Sequence, residues 1–191
     1  LRFAYRVLRV SSRWRLRAFS RAIGALSLLR LAKAEALLPA RLPEPLVPQG
    51  QVWEPASGRV DSRAALFTGC VMSTAFADTT RATAQVLAAN GWQVVVVAGQ
   101  ECCGSLHGHN SLPEGAQELA RRNIDAFERL EADAIVVNSA GCGAFMKHYD
   151  RLLEGDPAYR ERAKLFSGKV KDVLELLNSR ELAPDMAPLD Y

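Results

Sequence analysis

The sequence predicts an α/β fold: a parallel sheet with flanking helices, preceded by a basic helical arm. Three observations carry this. Short apolar runs rich in β-branched residues (AALFT at 64–68, QVVVV at 93–97, AIVV at 134–137) alternate with helix-length segments. The connections between the runs are long enough for right-handed crossovers that carry a helix. Prolines concentrate between an arginine-rich beginning and this alternating part.

Taken in order, residues 1–38 are expected to be a helical arm. Leu1, Tyr5, Leu8, then Phe19, Ile23, Leu26 and Leu29 recur at helical spacing with arginines between them. Residues 1–34 hold nine basic residues (Arg2, Arg6, Arg9, Arg13, Arg15, Arg17, Arg21, Arg30, Lys33) and no acidic one, so a chain total of +3 leaves −6 for the remainder. A basic arm on an acidic body suits a membrane surface, an acidic partner or nucleic acid, and does not choose among them. Residues 39–61 read as an extended linker, because Pro39, Pro43, Pro45, Pro48 and Pro55 cannot continue a helix. Residues 62–180 are the expected α/β domain. Its helices are placed at about 75–89, ended by Asn90-Gly91, at 113–130, opened by Pro113 and Glu114, at about 144–153, and at 158–166 and 169–179. Residues 181–191 are a proline-containing tail.

Composition narrows the function classes. A chain of 191 residues at 49% hydrophobic and 24% charged is neither disordered nor a membrane channel. No stretch reaches the roughly 18–20 uncharged apolar residues that a spanning helix needs, and no secretory signal is visible. Four cysteines are too few for a disulfide scaffold. A reducing cytoplasmic setting, with the arm peripheral to the inner face of a membrane, is the expectation. There, grouped cysteines point to metal or redox chemistry. The chain begins at Leu1 in what reads as mid-helix, as a piece of a longer protein would.

The cysteines are the informative residues. Cys70 follows the first apolar run, Cys102 and Cys103 the second, and Cys142 the third. Although 31 and 38 residues intervene, a parallel sheet brings all three strand ends to one edge, where α/β sheets bind ligands. Glycines flank each position: Gly69, Gly104, Gly141 and Gly143. They let backbone N–H groups approach a bulky anionic group. Four thiolates suit an iron–sulfur cluster, a [4Fe–4S] cluster foremost, or tetrahedral zinc as the alternative. The adjacent pair Cys102-Cys103 favours the cluster, because two neighbouring cysteines chelate one ion awkwardly. His107 and His109 are possible extra ligands. A vicinal Cys102–Cys103 disulfide acting as a thiol redox switch is the remaining reading. Other chemistries fit less well. Asn138–Gly143 has the look of a nucleophile elbow, but His148 is expected to face outward. There is no GxGxxG or Walker loop, and Trp14, Trp53 and Trp92 are too scattered to stack nucleic acid, so no nucleic-acid partner is expected.

The pattern Cys70 … Cys102-Cys103-Gly104 … Cys142 resembles the cysteine-rich CCG domain of heterodisulfide reductase subunits and related oxidoreductases. FTGCVMSTAFADTTRATAQVLAANGWQVVV, QECCGSLHGHN, ARRNIDAF, DAIVVNSAGCGAFMKHY and GDPAYRERAKLFSGKVKDVLELL look most like the glycolate oxidase iron–sulfur subunit branch of that family. The resemblance covers roughly residues 62–180. It implies an electron-transfer subunit that performs no hydride chemistry itself. A flavin-containing dehydrogenase subunit oxidises a 2-hydroxy acid, and electrons pass onward to a membrane or quinone-linked acceptor. Such proteins usually carry two ferredoxin-type clusters upstream and a second CCG domain downstream. No CxxCxxC run is present here, so the chain resembles a fragment or a short relative. The fullest CCG pattern ends in CxxC, whereas here Cys142 is followed by Gly143, Ala144 and Phe145.

Overall fold

The computed structural model describes residues 42–182, together with the isolated positions Phe19, Ala22, Ile23, Gly24 and Lys33. The expected helical arm, those positions apart, and the final stretch Ala183–Tyr191 lie outside the described residues.

Among the described residues, five strands form one mixed, mostly parallel sheet. They are β1 (Val52–Trp53), β2 (Arg63–Phe67), β3 (Gln93–Val96), β4 (Ala134–Val137) and β5 (Val170–Asp172). Their order is β1-β3-β2-β4-β5, with β1 antiparallel to β3 and every other pair parallel. The long helices are α1 (Ala77–Ala89), α3 (Pro113–Glu128) and α6 (Arg160–Lys169). Shorter ones are α2 (Ser105–His109), α4 (Ala140–Met146), α5 (Tyr149–Leu152) and α7 (Val173–Leu177).

Alternation along the strands builds two cores. Ala64, Leu66, Val94, Val96, Ala134 and Val136 face a layer holding Leu87 of α1 and Leu176 of α7. Ala65, Phe67, Ile135 and Val137 face the opposite layer, which holds Ile124 and Phe127 of α3, Tyr149 of α5 and Phe166 of α6. A sheet covered on both faces keeps its central strands apolar, as β4 is throughout and β2 is after Arg63. β3 differs in burial: Val95 is half-buried between buried Val94 and Val96.

Residues 42–61 hold no helix, turn at Pro55–Gly58, and are bonded to the sheet. The Gly50 N–H donates to the Val96 carbonyl at 3.0 Å, and the Val96 N–H to the Gln51 carbonyl at 2.9 Å. Leu42 and Leu46 are buried. The expected helix over 169–179 divides into β5 and α7, because the open edge of β4 pairs Ile135 with Val170 and Val137 with Asp172. Asp172 then starts α7 with a capping box closed by Glu175. The expected loop after β3 contains α2, which carries both His107 and His109. The expected 144–153 helix begins earlier, at Ala140, and is interrupted before Tyr149.

The sheet order positions the site. From β2 the chain winds to β3 on one side and then crosses to β4 on the other. The strand connections therefore diverge at the carboxyl end of β2, which opens a crevice between the loops following β2 and β4. Cys70 lies after β2 and Cys142 after β4.

Candidate metal centre

The structure brings all four cysteines together, and none forms a disulfide. All four line one cavity of about 390 Å³ at the carboxyl edge, beside Gly69, Val71, Met72, Phe76, Leu106 and Ser139. The sulfurs form a row in hydrogen-bonding contact. Cys70 touches Cys102, Cys102 touches Cys103, and Cys103 Sγ lies 3.2 Å from Cys142 Sγ. Cys103 is buried and the other three are half-buried.

Local backbone explains the placement. Gly69 and Gly104 both adopt left-handed φ, at +57° and +84°. At Gly69 a Cβ would stand 2.9 Å from the Phe67 ring, and at Gly104 3.3 Å from the α3 backbone at Ala116. Only glycine turns the chain there without a clash. Each sulfur also receives a polar hydrogen: from the N–H of Val71 at Cys70, of Gly104 at Cys102 and of Ser105 at Cys103, and from Ser139 at Cys142. Such contacts stabilise thiolate and tune any cluster the thiolates hold.

Charge sharing follows from the row. Cys102 is held well below the usual thiol range, first by the hydrogen bond from Cys103 and then by that from Cys70. Cys142 is lowered to about 6, again first by Cys103. Cys70 and Cys103 are raised, each first through its hydrogen bond to Cys102 and next, for Cys103, through Cys142. The shifts thus alternate along the row, up at Cys70 and Cys103 and down at Cys102 and Cys142. A cationic group between them would ionise all four.

The donor set fits a metal group, with one rearrangement. Tetrahedral zinc at ~2.3 Å from each sulfur requires sulfurs ~3.8 Å apart. The 3.2 Å contact between Cys103 and Cys142 must therefore open for any metal. Among the described residues, no three His, Cys, Asp or Glu side chains form a ready-made cage for a single ion. The sulfurs border a cavity along one wall instead, and that cavity has the room a polynuclear cluster needs.

The histidines separate from the set. His109 is exposed and its ring lies 6.5 Å from that of Phe145. His107 is half-buried against Gly115, with Nδ1 buried and lacking a hydrogen-bond partner. Neither lines the cavity. His148 is exposed, as expected. Phe145, which stands where a fifth cysteine would complete CxxC, packs edge-on against Tyr149 and over Gly108.

Three supporting residues escape the sequence reading. Gln100 ties the β2 and β3 ends together: its Oε1 accepts from the Thr68 N–H at 2.6 Å, and its Nε2 donates to the carbonyls of Leu66 (3.1 Å) and Val97 (2.9 Å). Asn123 Oδ1 accepts from the Glu101 N–H, and Asn123 Nδ2 donates to the Cys102 carbonyl, both at 2.9 Å. Tyr149 Oη donates to the Cys103 carbonyl at 2.7 Å. Asn123 had a legible signal, since it is an amide on the apolar face of α3, beside Ala120, Ile124 and Phe127.

Comparison with known proteins agrees with this geometry. Residues 64–147 match the family model of the cysteine-rich domain, CCG. The chain is 45% identical over 123 residues to the probable glycolate oxidase iron-sulfur subunit of Bacillus subtilis, covering 64% of this chain and 28% of that protein. It is 36% identical over 123 residues to the glycolate oxidase iron-sulfur subunit of Escherichia coli, covering 63% and 30%. It is 30% identical over 113 residues to lactate utilization protein A of an Exiguobacterium species, covering 59% and 46%. The chain thus aligns with less than half the length of each of these relatives. No solved structure matches it. With its thiols at three adjoining strand ends and the Cys-Cys-Gly turn between them, residues 64–147 of this chain are a CCG cysteine-rich domain.

Proposed function

We propose that this chain is an iron–sulfur electron-transfer unit of a flavin-linked 2-hydroxy acid oxidase of the glycolate type. In this reading Cys70, Cys102, Cys103 and Cys142 hold a four-iron cluster. The observation that carries it is the gathering of four thiols from three strand ends along one wall of a cavity, each with its own N–H or O–H donor. The names of the relatives supply the reaction class, since they include iron-sulfur subunits of glycolate oxidase and a lactate utilization protein.

A bound cluster would supply reversible one-electron transfer. The chain's own residues would orient the thiolates, donate hydrogen bonds that offset their charge and limit water at the buried Cys103 side. Apolar Val71, Phe76 and Leu106 at the cavity mouth suit that last task. A flavin-containing dehydrogenase subunit is the proposed electron donor. The proposed acceptor is quinone-linked and membrane-bound, reached from the cytoplasmic side with the basic arm (1–38) against the membrane or partner. Residues 39–61 would be the connecting segment, 62–180 the cluster domain and 181–191 the tail. Among the described residues no helix is long and apolar enough to cross a membrane.

Anaerobic iron and sulfide analysis of the wild type against Cys103→Ser, with visible absorption and EPR after reduction, tests the reading. Iron with matching sulfide, lost in the variant, is the expected result. Colourless protein with one zinc per chain would replace the cluster with a structural zinc site. Metal-free protein with a titratable disulfide would leave thiol redox chemistry.

A further inference from the structure

We propose that Tyr149 and Asn123 are positioning residues for the Cys102–Cys103 pair: they draw three successive backbone groups of residues 101–103 into the core and so turn both thiols toward the cavity.

Glu101, Cys102 and Cys103 belong to no helix or strand. Among the described residues, no hydrogen bond joins their main chain to any other main chain. What fixes the segment is side-chain bonding from two helices. Asn123 of α3 accepts from the Glu101 N–H and donates to the Cys102 carbonyl. Tyr149 of α5 donates to the Cys103 carbonyl at 2.7 Å, and its oxygen accepts from Asn123 Nδ2 at 3.4 Å. The amide, the phenol and the carbonyl thus form one directed chain, in which each bond polarises the next.

Both anchors are fully buried, at 0% exposure. A buried amide and a buried phenol without partners would be costly, so the core specifies the loop as much as the loop serves the core. The phenol itself is held from two sides: Tyr149 stacks on Phe166 at 5.3 Å and meets Phe145 edge-on at 6.0 Å. Its hydroxyl therefore has little freedom to point elsewhere. With both carbonyls turned inward, the two side chains are left on the cavity side, where both line the wall.

The test uses the full chain as wild type, Tyr149→Phe, Asn123→Ser and Phe166→Leu, the last as a packing control in the same aromatic cluster. In reduced, metal-free protein, alkylation by iodoacetamide is followed for each cysteine by mass spectrometry. Losing one anchoring bond should accelerate Cys102 and Cys103 roughly two- to tenfold, with Cys70 affected less and Phe166→Leu showing no such selectivity. Equal acceleration at Cys70, the same pattern in Phe166→Leu, or no acceleration overturns the proposal. If Tyr149→Phe does not fold, Asn123→Ser decides by the same criterion. If both fail to fold while Phe166→Leu folds, the pair is a stability element only and the proposal falls. A second arm rests on the cluster reading above. In anaerobically reconstituted protein, Tyr149→Phe should release iron to a chelator roughly tenfold faster, with a shifted midpoint potential. Reconstitution that fails for the wild type while the thiol arm succeeds refutes the cluster and leaves the positioning role standing.

Discussion

Replacing Gln100 by Leu should separate the end of β2 from the loop after β3, the junction on which the contact of Cys70 with Cys102 depends. Gln100 is only 6% exposed, and its amide makes three backbone hydrogen bonds at 3.1 Å or less. The Thr68 N–H it serves belongs to a residue at 1% exposure. Leucine is close in volume, so the perturbation is the loss of polar partners and not a cavity. Leaving the Thr68 N–H without an acceptor costs about 1–3 kcal/mol. The Leu66 and Val97 carbonyls add less, since a carbonyl tolerates a missing partner better than an N–H. A total near 3 kcal/mol is expected, against a stability of ~5–15 kcal/mol for a domain of this kind. Urea denaturation of reduced, metal-free protein reads it as a lower midpoint at unchanged slope. In a thermal scan it corresponds to roughly 6–12 °C. The local consequence is read in the same sample: alkylation of Cys70 and Cys102 should accelerate more than that of Cys142. A loss below about 1 kcal/mol, or uniform acceleration at all four cysteines, would refute the view that one buried amide registers the two loops.

Gly104→Ala should destabilise by about 1–2 kcal/mol from the left-handed backbone alone, with further loss from the Ala116 contact at 3.3 Å; denaturant titration checks it. Ile124→Ala empties a fully buried site in the layer beneath the cysteines and should cost about 2–5 kcal/mol, read in the same way. Stripping metal from reconstituted protein with a chelator should lower the thermal midpoint, and a metal-independent midpoint would contradict ligation by the native state. Glu175 is held below its usual carboxylate range, first by Lys147 and then by the Asp172 N–H. Its folded-state value being depressed, the stabilisation is complete above the unfolded carboxylate value and fades as pH falls through the lower folded one. Glu175→Gln should therefore be less stable than wild type at neutral pH, with the two converging in acid. A difference that persists in acid would assign the effect to packing.

The sequence by itself determined most of the local elements and which residues gather at the site. The β-branched runs, Asn90-Gly91 and Pro113 mark strand, helix end and helix start through short-range sterics, and each element formed within two or three residues of its expected place. The cysteines were legible as a set because parallel topology requires the ends of successive strands to share an edge. Tertiary structure decided what depends on partners distant in sequence. Val170–Asp172 is a strand because β4 offers an open edge, whereas its own apolar spacing suits the helix that was expected there. Val52–Trp53 joins the sheet through the free side of β3, where prolines alone suggested only an extended path. Gln100, Asn123 and Tyr149 acquire their roles only when helices and loops 21 to 46 residues apart meet. A hydrogen bond to a backbone carbonyl leaves no periodicity in the chain, so only the folded core could choose which polar groups it would hold.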